Sequence, residues 1–139
     1  MVRRENIVSK VSAINKYRTE LKRFQAMNFR DISSDTDRML ALERLLYLVA
    51  QATIDLAEML VKLKSFGKPE TMSEAFDLLV QAKYINADLG GALVKMVGFR
   101  NILSHGYDKI EQSVIESVLY QRLNDIDRFI MLVLAAENL

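Results

Sequence analysis

The sequence predicts an all-α protein, a four-to-five-helix antiparallel bundle forming one domain over residues 1–139. Three observations carry this. Apolar residues recur three and four positions apart over nearly the whole chain, the period of helices that bury one face. No segment sustains the two-residue alternation of a half-buried strand. Glycine and proline together number six, while half of the residues are hydrophobic. That is enough apolar material for a core and too little Gly and Pro for a loop-rich chain.

The first helix spans about residues 4–28, with Ile7, Val11, Ile14, Tyr17, Leu21, Phe24 and Met27 on one stripe. "RDISSDTD" interrupts it, and Ser34 with Asp37 has the spacing of a capping box. A second helix, about 36–64, is apolar over a broad face from Met39 to Leu63, as suits a central helix with several neighbours. Gly67 is expected to stop it, and Pro69 forbids its continuation. Thr71 and Glu74 open a short third helix, about 72–82. The fourth, about 87–105, turns Leu89, Leu93, Met96, Val97 and Leu103 inward. It also holds Gly90, Gly91 and Gly98, each costing ~1 kcal/mol against Ala, which points to close approach of another backbone. "GYDKIE" is read as a turn, and the last helix covers about 112–137.

Composition excludes several chemistries. There is no cysteine and only one histidine, so neither a disulfide, a thiolate metal site nor a cysteine nucleophile is available. Di-iron bundles use Glu-x-x-His, and here Ile102 stands three before His105. No glycine-rich phosphate loop is present. No metal and no cofactor are therefore expected. No window reaches the ~18 apolar residues of a membrane span, and the N-terminus lacks the apolar run of a secretory signal. The expected setting is cytoplasmic, without membrane attachment. Residues 1–30 carry eight Lys/Arg against two Glu, and the remainder carries eleven against sixteen acidic residues. The basic first helix either faces a polyanion such as RNA or packs near the acidic remainder and solvent.

The one imidazole sits in "RNILSHGY", residues 100–107. On a helix, Asn101 and His105 share a face. Arg100 and His105 lie ~140° and ~7.5 Å apart, too far to close on one small ligand but suited to a phosphodiester lying along the helix or to groups pooled across a two-fold axis. Gly106 has the position of a C′ residue, so the helix dipole favours a charged His105, and Tyr107 follows in the turn. Histidine can take a proton from an RNA 2′-hydroxyl near neutral pH. Arginine can stabilise the charge gathering on phosphorus, and asparagine can orient the imidazole or donate to phosphate. The same spacing also fits a purely structural set: a capping histidine, an arginine paired with a carboxylate and an interfacial tyrosine.

"RNILSHGY" resembles the R-x4-H-x-Y signature of the HEPN superfamily, specifically the toxins of the HEPN–MNT toxin–antitoxin pairs, where MNT is a minimal nucleotidyltransferase. "LALERLLYLVAQATIDLAEMLV", "KPETMSEAFDLLVQAKYI" and "LVKMVGFRNILSHGYDKIEQSVIESVLYQRLNDIDRFI" are similar to that family in order and spacing, from about residue 36 onward. The resemblance implies a dimerising helical bundle with two motifs lining one cleft, acting as a metal-independent endoribonuclease on RNA. It implies Arg100 and His105 as catalytic residues, with Asn101 at the polar second position of the motif. It implies Tyr107 as the residue on which a cognate minimal nucleotidyltransferase antitoxin places AMP. A non-catalytic helical module that docks a nucleotidyltransferase and holds nucleotide is the alternative.

Overall fold

The computed structural model describes residues 2–105 and 110–139. Gly106 and Tyr107, two positions singled out in the sequence, lie outside the described residues. The described residues are helical, with no strand. The elements are α1 (Arg4–Gln25), α2 (Phe29–Ser33), α3 (Thr36–Leu63), α4 (Met72–Gln81), α5 (Ala87–Ser104), α6 (Gln112–Ser117), a π-helical turn (Val118–Arg122) and α7 (Leu123–Ala136).

The long apolar face of α3 organises the molecule. It buries Leu42, Leu46, Val49, Ile54, Leu56 and Leu60, and α1, α4 and α5 all pack on it. Leu residues removed from water at such positions stabilise by roughly 1.5–3 kcal/mol each. α5 packs in turn on α4 and α7. Phe76 of α4 meets Phe129 of α7 edge to face, with centroids 6.0 Å apart, inside the same core.

The helix ends correct several local expectations. The cap of α3 is Asp35, whose carboxylate accepts from the N–H groups of Asp37 and Arg38. Ser34 instead closes the short helix α2, which occupies a stretch read as a break. Gly67 does not stop α3. The chain turns at Ser65, at φ 58°, while Phe66 N–H reaches Val61 O at 2.9 Å and Ser65 N–H reaches Lys62 O at 3.3 Å. This is a Schellman closure with serine in the left-handed position. α4 and α7 close the same way at Lys83 and Asn138. The expected last helix is interrupted by the π turn. There the Leu119 carbonyl accepts from Gln25 Nε2 of α1 at 2.7 Å, and Tyr120 Oη donates to Met27 O at 2.7 Å.

The glycines of α5 divide. A Cβ at Gly90 would stand 2.3 Å from Val80 Cγ2, so this glycine lets α4 approach α5. A Cβ at Gly91 or Gly98 would meet nothing within 4 Å. Most of the basic charge of α1 is spoken for within the chain. Arg18 pairs with Asp127, Lys10 with Asp55 and Arg23 with Glu20, and Arg4 donates to the carbonyls of Glu137 and Asn138. Of these, Lys10 and Arg18 reach carboxylates of the acidic remainder, while Arg23 pairs within α1 and Arg4 meets uncharged carbonyls.

Candidate active site

α5 starts at Asn86, whose side chain accepts from Leu89 N–H at 2.8 Å. Its buried stripe then runs Leu89, Leu93, Val97. Arg100 comes three residues later, where the stripe would place one more core residue. A guanidinium there cannot be left without partners, and α3 supplies two of them. Arg100 Nε donates to Gln51 Oε1 at 2.6 Å, and NH2 donates to Tyr47 Oη at 3.3 Å. NH1 donates to Asn101 Oδ1 of α5 itself at 3.1 Å. The guanidinium carbon also lies 5.3 Å from the centroid of the Tyr47 ring, within cation–π range.

The support continues behind Gln51. Its Nε2 donates to Asp55 Oδ1 at 2.8 Å, and Asp55 Oδ2 faces Lys10 Nζ of α1 at 3.6 Å. One chain of polar contacts thus runs from α1 through α3 to Arg100 on α5. The amide of Gln51 is held at both ends, so its oxygen and not its NH2 group is turned to the guanidinium. Glu58, one turn beyond Asp55, has its carboxyl pushed above the usual range by burial and, less, by the Asp55 charge.

His105 is the C-terminal cap of α5, exposed, with its N–H bonded to Asn101 O at 3.1 Å. Beside it, Ser104 and Leu103 form one wall of a cleft of about 340 Å³, and Glu43, Arg44 and Tyr47 form the other. Arg100 and Asn101 are therefore joined directly, and His105 follows Asn101 by one turn, next to Ser104 of the cleft wall. Among the described residues, no three His, Asp or Glu gather as a metal site. No helix among them is long and apolar enough to cross a membrane.

A second concavity, about 510 Å³, lies between α5 and the α6–α7 rod. Met96, Gly98, Phe99, Ile102, Val114 and Val118 line it. It is apolar and borders the motif through Ile102.

The residues that hold Arg100 were missed in the sequence. A signal was present: Arg44, Tyr47, Gln51, Asp55 and Glu58 follow one another three or four apart on α3. They form a polar seam on a helix otherwise read only for its apolar face.

The "Ribonuclease HepT-like" family model matches residues 14–133. The chain is 36% identical over 110 residues to a tRNA nuclease HepT of Aphanizomenon flos-aquae, spanning 78% of this chain and 74% of that one. It is 33% identical over 85 residues to an mRNA nuclease HepT of Shewanella oneidensis, spanning 61% of this chain and 64% of the relative. Among solved structures, a toxin–antitoxin complex with AMP-PNP superposes with a TM-score of 0.86 at 25% identity, covering 93% of this chain and 97% of that one. A tri-AMPylated Shewanella oneidensis HEPN toxin in complex with its MNT antitoxin gives 0.85 at 26% identity, covering 93% and 96%.

Proposed function

Because the chain belongs to the ribonuclease HepT-like family, we propose that it is the RNase toxin of a toxin–antitoxin pair, a metal-independent endoribonuclease working in the cytoplasm. The observation that carries this reading is the setting of Arg100. Its guanidinium is held by three uncharged oxygens, Gln51 Oε1, Asn101 Oδ1 and Tyr47 Oη, and Tyr47 lines the cleft that Leu103 and Ser104, the residues just before His105, close on the other side.

The proposed chemistry follows from these groups. His105 takes the proton of an RNA 2′-hydroxyl as the 2′-oxygen attacks the adjacent phosphorus. The bond from phosphorus to the 5′-oxygen breaks, that oxygen takes up a proton, and a 2′,3′-cyclic phosphate remains. Gln51, Asn101 and Tyr47 use three of the five N–H groups of Arg100. The other two are the donors assigned to the phosphoryl oxygens, where charge accumulates in the transition state. Asn101 steadies the guanidinium and stands one turn from the imidazole.

A homodimer completes the site in this reading. A single straight helix separates Arg100 from His105, and the apolar groove that borders the motif, with Gly98 on its floor, offers the face for a second copy. The partner that silences the toxin is a cognate minimal nucleotidyltransferase, which places AMP on Tyr107. An anionic adduct two residues past His105 blocks the cleft and repels RNA phosphate. Support comes from the AMPylated state of the Shewanella oneidensis relative in its antitoxin complex.

Purified protein, freed of its antitoxin, is incubated with cellular RNA in EDTA. Cleavage is expected, and His105→Ala is expected to abolish it. Intact RNA with unmodified protein would sink the enzyme reading. Co-expression with the nucleotidyltransferase should add adenylyl mass that Tyr107→Phe removes, and mass found on another residue refutes that assignment.

A further inference from the structure

Arg44 stands apart from the residues that hold Arg100. It lies on α3 one turn before Tyr47 and is exposed in the cleft. Its guanidinium carbon is 5.3 Å from the centroid of the Tyr47 ring, the same distance as that of Arg100. The two guanidinium groups thus share one phenol, no more than about 11 Å from each other. Several exposed arginines settle on nearby carboxylates, Arg3 on Glu5, Arg23 on Glu20, Arg38 on Asp35 and Arg128 on Asp125, whereas Arg30 and Arg122 are exposed with no ion pair among the described residues. Among the described residues Arg44 has no such ion pair. Glu43, its chain neighbour, lines the same cleft without closing one.

Two like charges gathered at one ring, with no ion pair closed by the Glu43 that shares the cleft, leave a position that an anion fills. The hydroxyl of Tyr47 is engaged as an acceptor by Arg100, so its own proton remains to donate. We propose that Arg44 and Tyr47 form a second phosphate position, which holds the phosphodiester neighbouring the scissile one. This rests on the reading that Arg100 and His105 cleave RNA, and it names the contact that sets the register of the strand. Arg44 and Tyr47 line a cleft of about 340 Å³, and Tyr47 in turn contacts Arg100, which leaves room for a nucleotide beside the motif. Phosphate contacts of this kind fix position along the strand without reading sequence.

The test starts from a short RNA whose cleavage point has been mapped with the wild-type protein. Arg44→Gln is expected to lower kcat/KM about tenfold, mainly through KM, as for one lost charge-assisted hydrogen bond. Replacing one phosphate that flanks the scissile step by a neutral methylphosphonate is expected to cost the wild type as much. In the Arg44→Gln protein the same replacement should cost nothing further. In a His105→Ala background, which binds without cutting, Arg44→Gln should reduce the salt dependence of binding by about one phosphate contact. Additive losses for the mutation and the methylphosphonate at both flanks would overturn the proposal. So would unchanged RNA kinetics with a loosened antitoxin complex, which gives this surface to a protein partner. A wild-type protein inactive on every RNA would instead remove the nuclease reading itself, an outcome the salt dependence of binding separates from failure of this site.

Discussion

Arg18 and Arg100 are both drawn off the surface against a neighbouring helix, and they are held in opposite ways. Arg18 of α1 is buried and meets both oxygens of Asp127 on α7, at 2.7 Å each. Its charge is cancelled where it stands, and its remaining NH1 has no hydrogen-bond partner among the described residues. Arg100 makes three side-chain bonds, and every acceptor is neutral. The nearest carboxylate in that chain, Asp55, lies one residue removed, behind Gln51, and is itself paired with Lys10. An arginine that joins two helices gains most from a carboxylate, which offsets its desolvation. An arginine that must receive a phosphate gains from oxygens that fix its plane and leave its charge intact. The two residues are the same letter in the sequence. In the proposed reading of Arg100, their partners separate a joint from a binding group.

The largest effect follows from taking the charge away from each. Arg100→Ala should lower RNA cleavage by about a thousandfold, the scale of removing a donor that stabilises a transition-state anion, while thermal stability stays within about 1 kcal/mol. Asp127→Ala should do the reverse. It strands a buried guanidinium and should cost about 3 kcal/mol, or roughly 10 °C in Tm for a chain of this size. The kcat of the protein that remains folded should be unchanged. Thermal melts and single-turnover cleavage on the same preparations decide this. Equal damage from both substitutions in both assays would erase the distinction.

A smaller effect should appear when one arginine is given the other's surroundings. Gln51→Glu keeps the acceptor and its length but adds a carboxylate against Arg100 Nε. The new pair resembles Arg18 with Asp127. We expect cleavage to fall about tenfold, equal to ~1.4 kcal/mol, with Tm unchanged or raised. Gln51→Met loses the acceptor without adding charge and should affect cleavage less. If the glutamate variant keeps full activity, neutrality of the cradle is not what matters at Arg100.

Much of this frame was legible from residue pattern. The bounds of α3, α4 and α5 fall within a residue or two of those read from apolar spacing and from the Thr71 cap. Errors gathered where tertiary contacts decide. Ser34 and Asp35 are both good caps by type, and only the turn after α2 chooses Asp35. Gly67 looked like the stop for α3, yet Ser65 takes the left-handed position because the chain must already turn there for Phe66 to pack. The π turn depends on Gln25, more than ninety residues away in sequence, to satisfy Leu119 O. At the site, the motif singled out Arg100, Asn101 and His105, of which the structure joins Arg100 to Asn101 through their side chains. Tyr47 and Gln51 stayed hidden because a polar residue on a mostly apolar helix carries no mark of which neighbour it will meet.

The smallest effect concerns the far end of the same seam. Glu58 is half-buried beside Asp55, and burial first, then the Asp55 charge, push its carboxyl pKa up. For a carboxyl raised in the fold, the charged form is the one penalised. The stability it contributes is complete below its unfolded pKa and is lost as pH rises through its folded value. Glu58→Gln should therefore stabilise by a few tenths of a kcal/mol near pH 7, a size fitting a group that stays partly solvated. The gain should shrink toward zero at acid pH, as melts across the pH range would show. RNA cleavage should change by less than about twofold, because Gln51 and the Lys10–Asp55 pair stand between Glu58 and Arg100. A large change in cleavage would mean that the carboxylates of α3 act on Arg100 through space. The contrast with Arg18 would then be one of distance from negative charge and no longer one of neutral against charged partners.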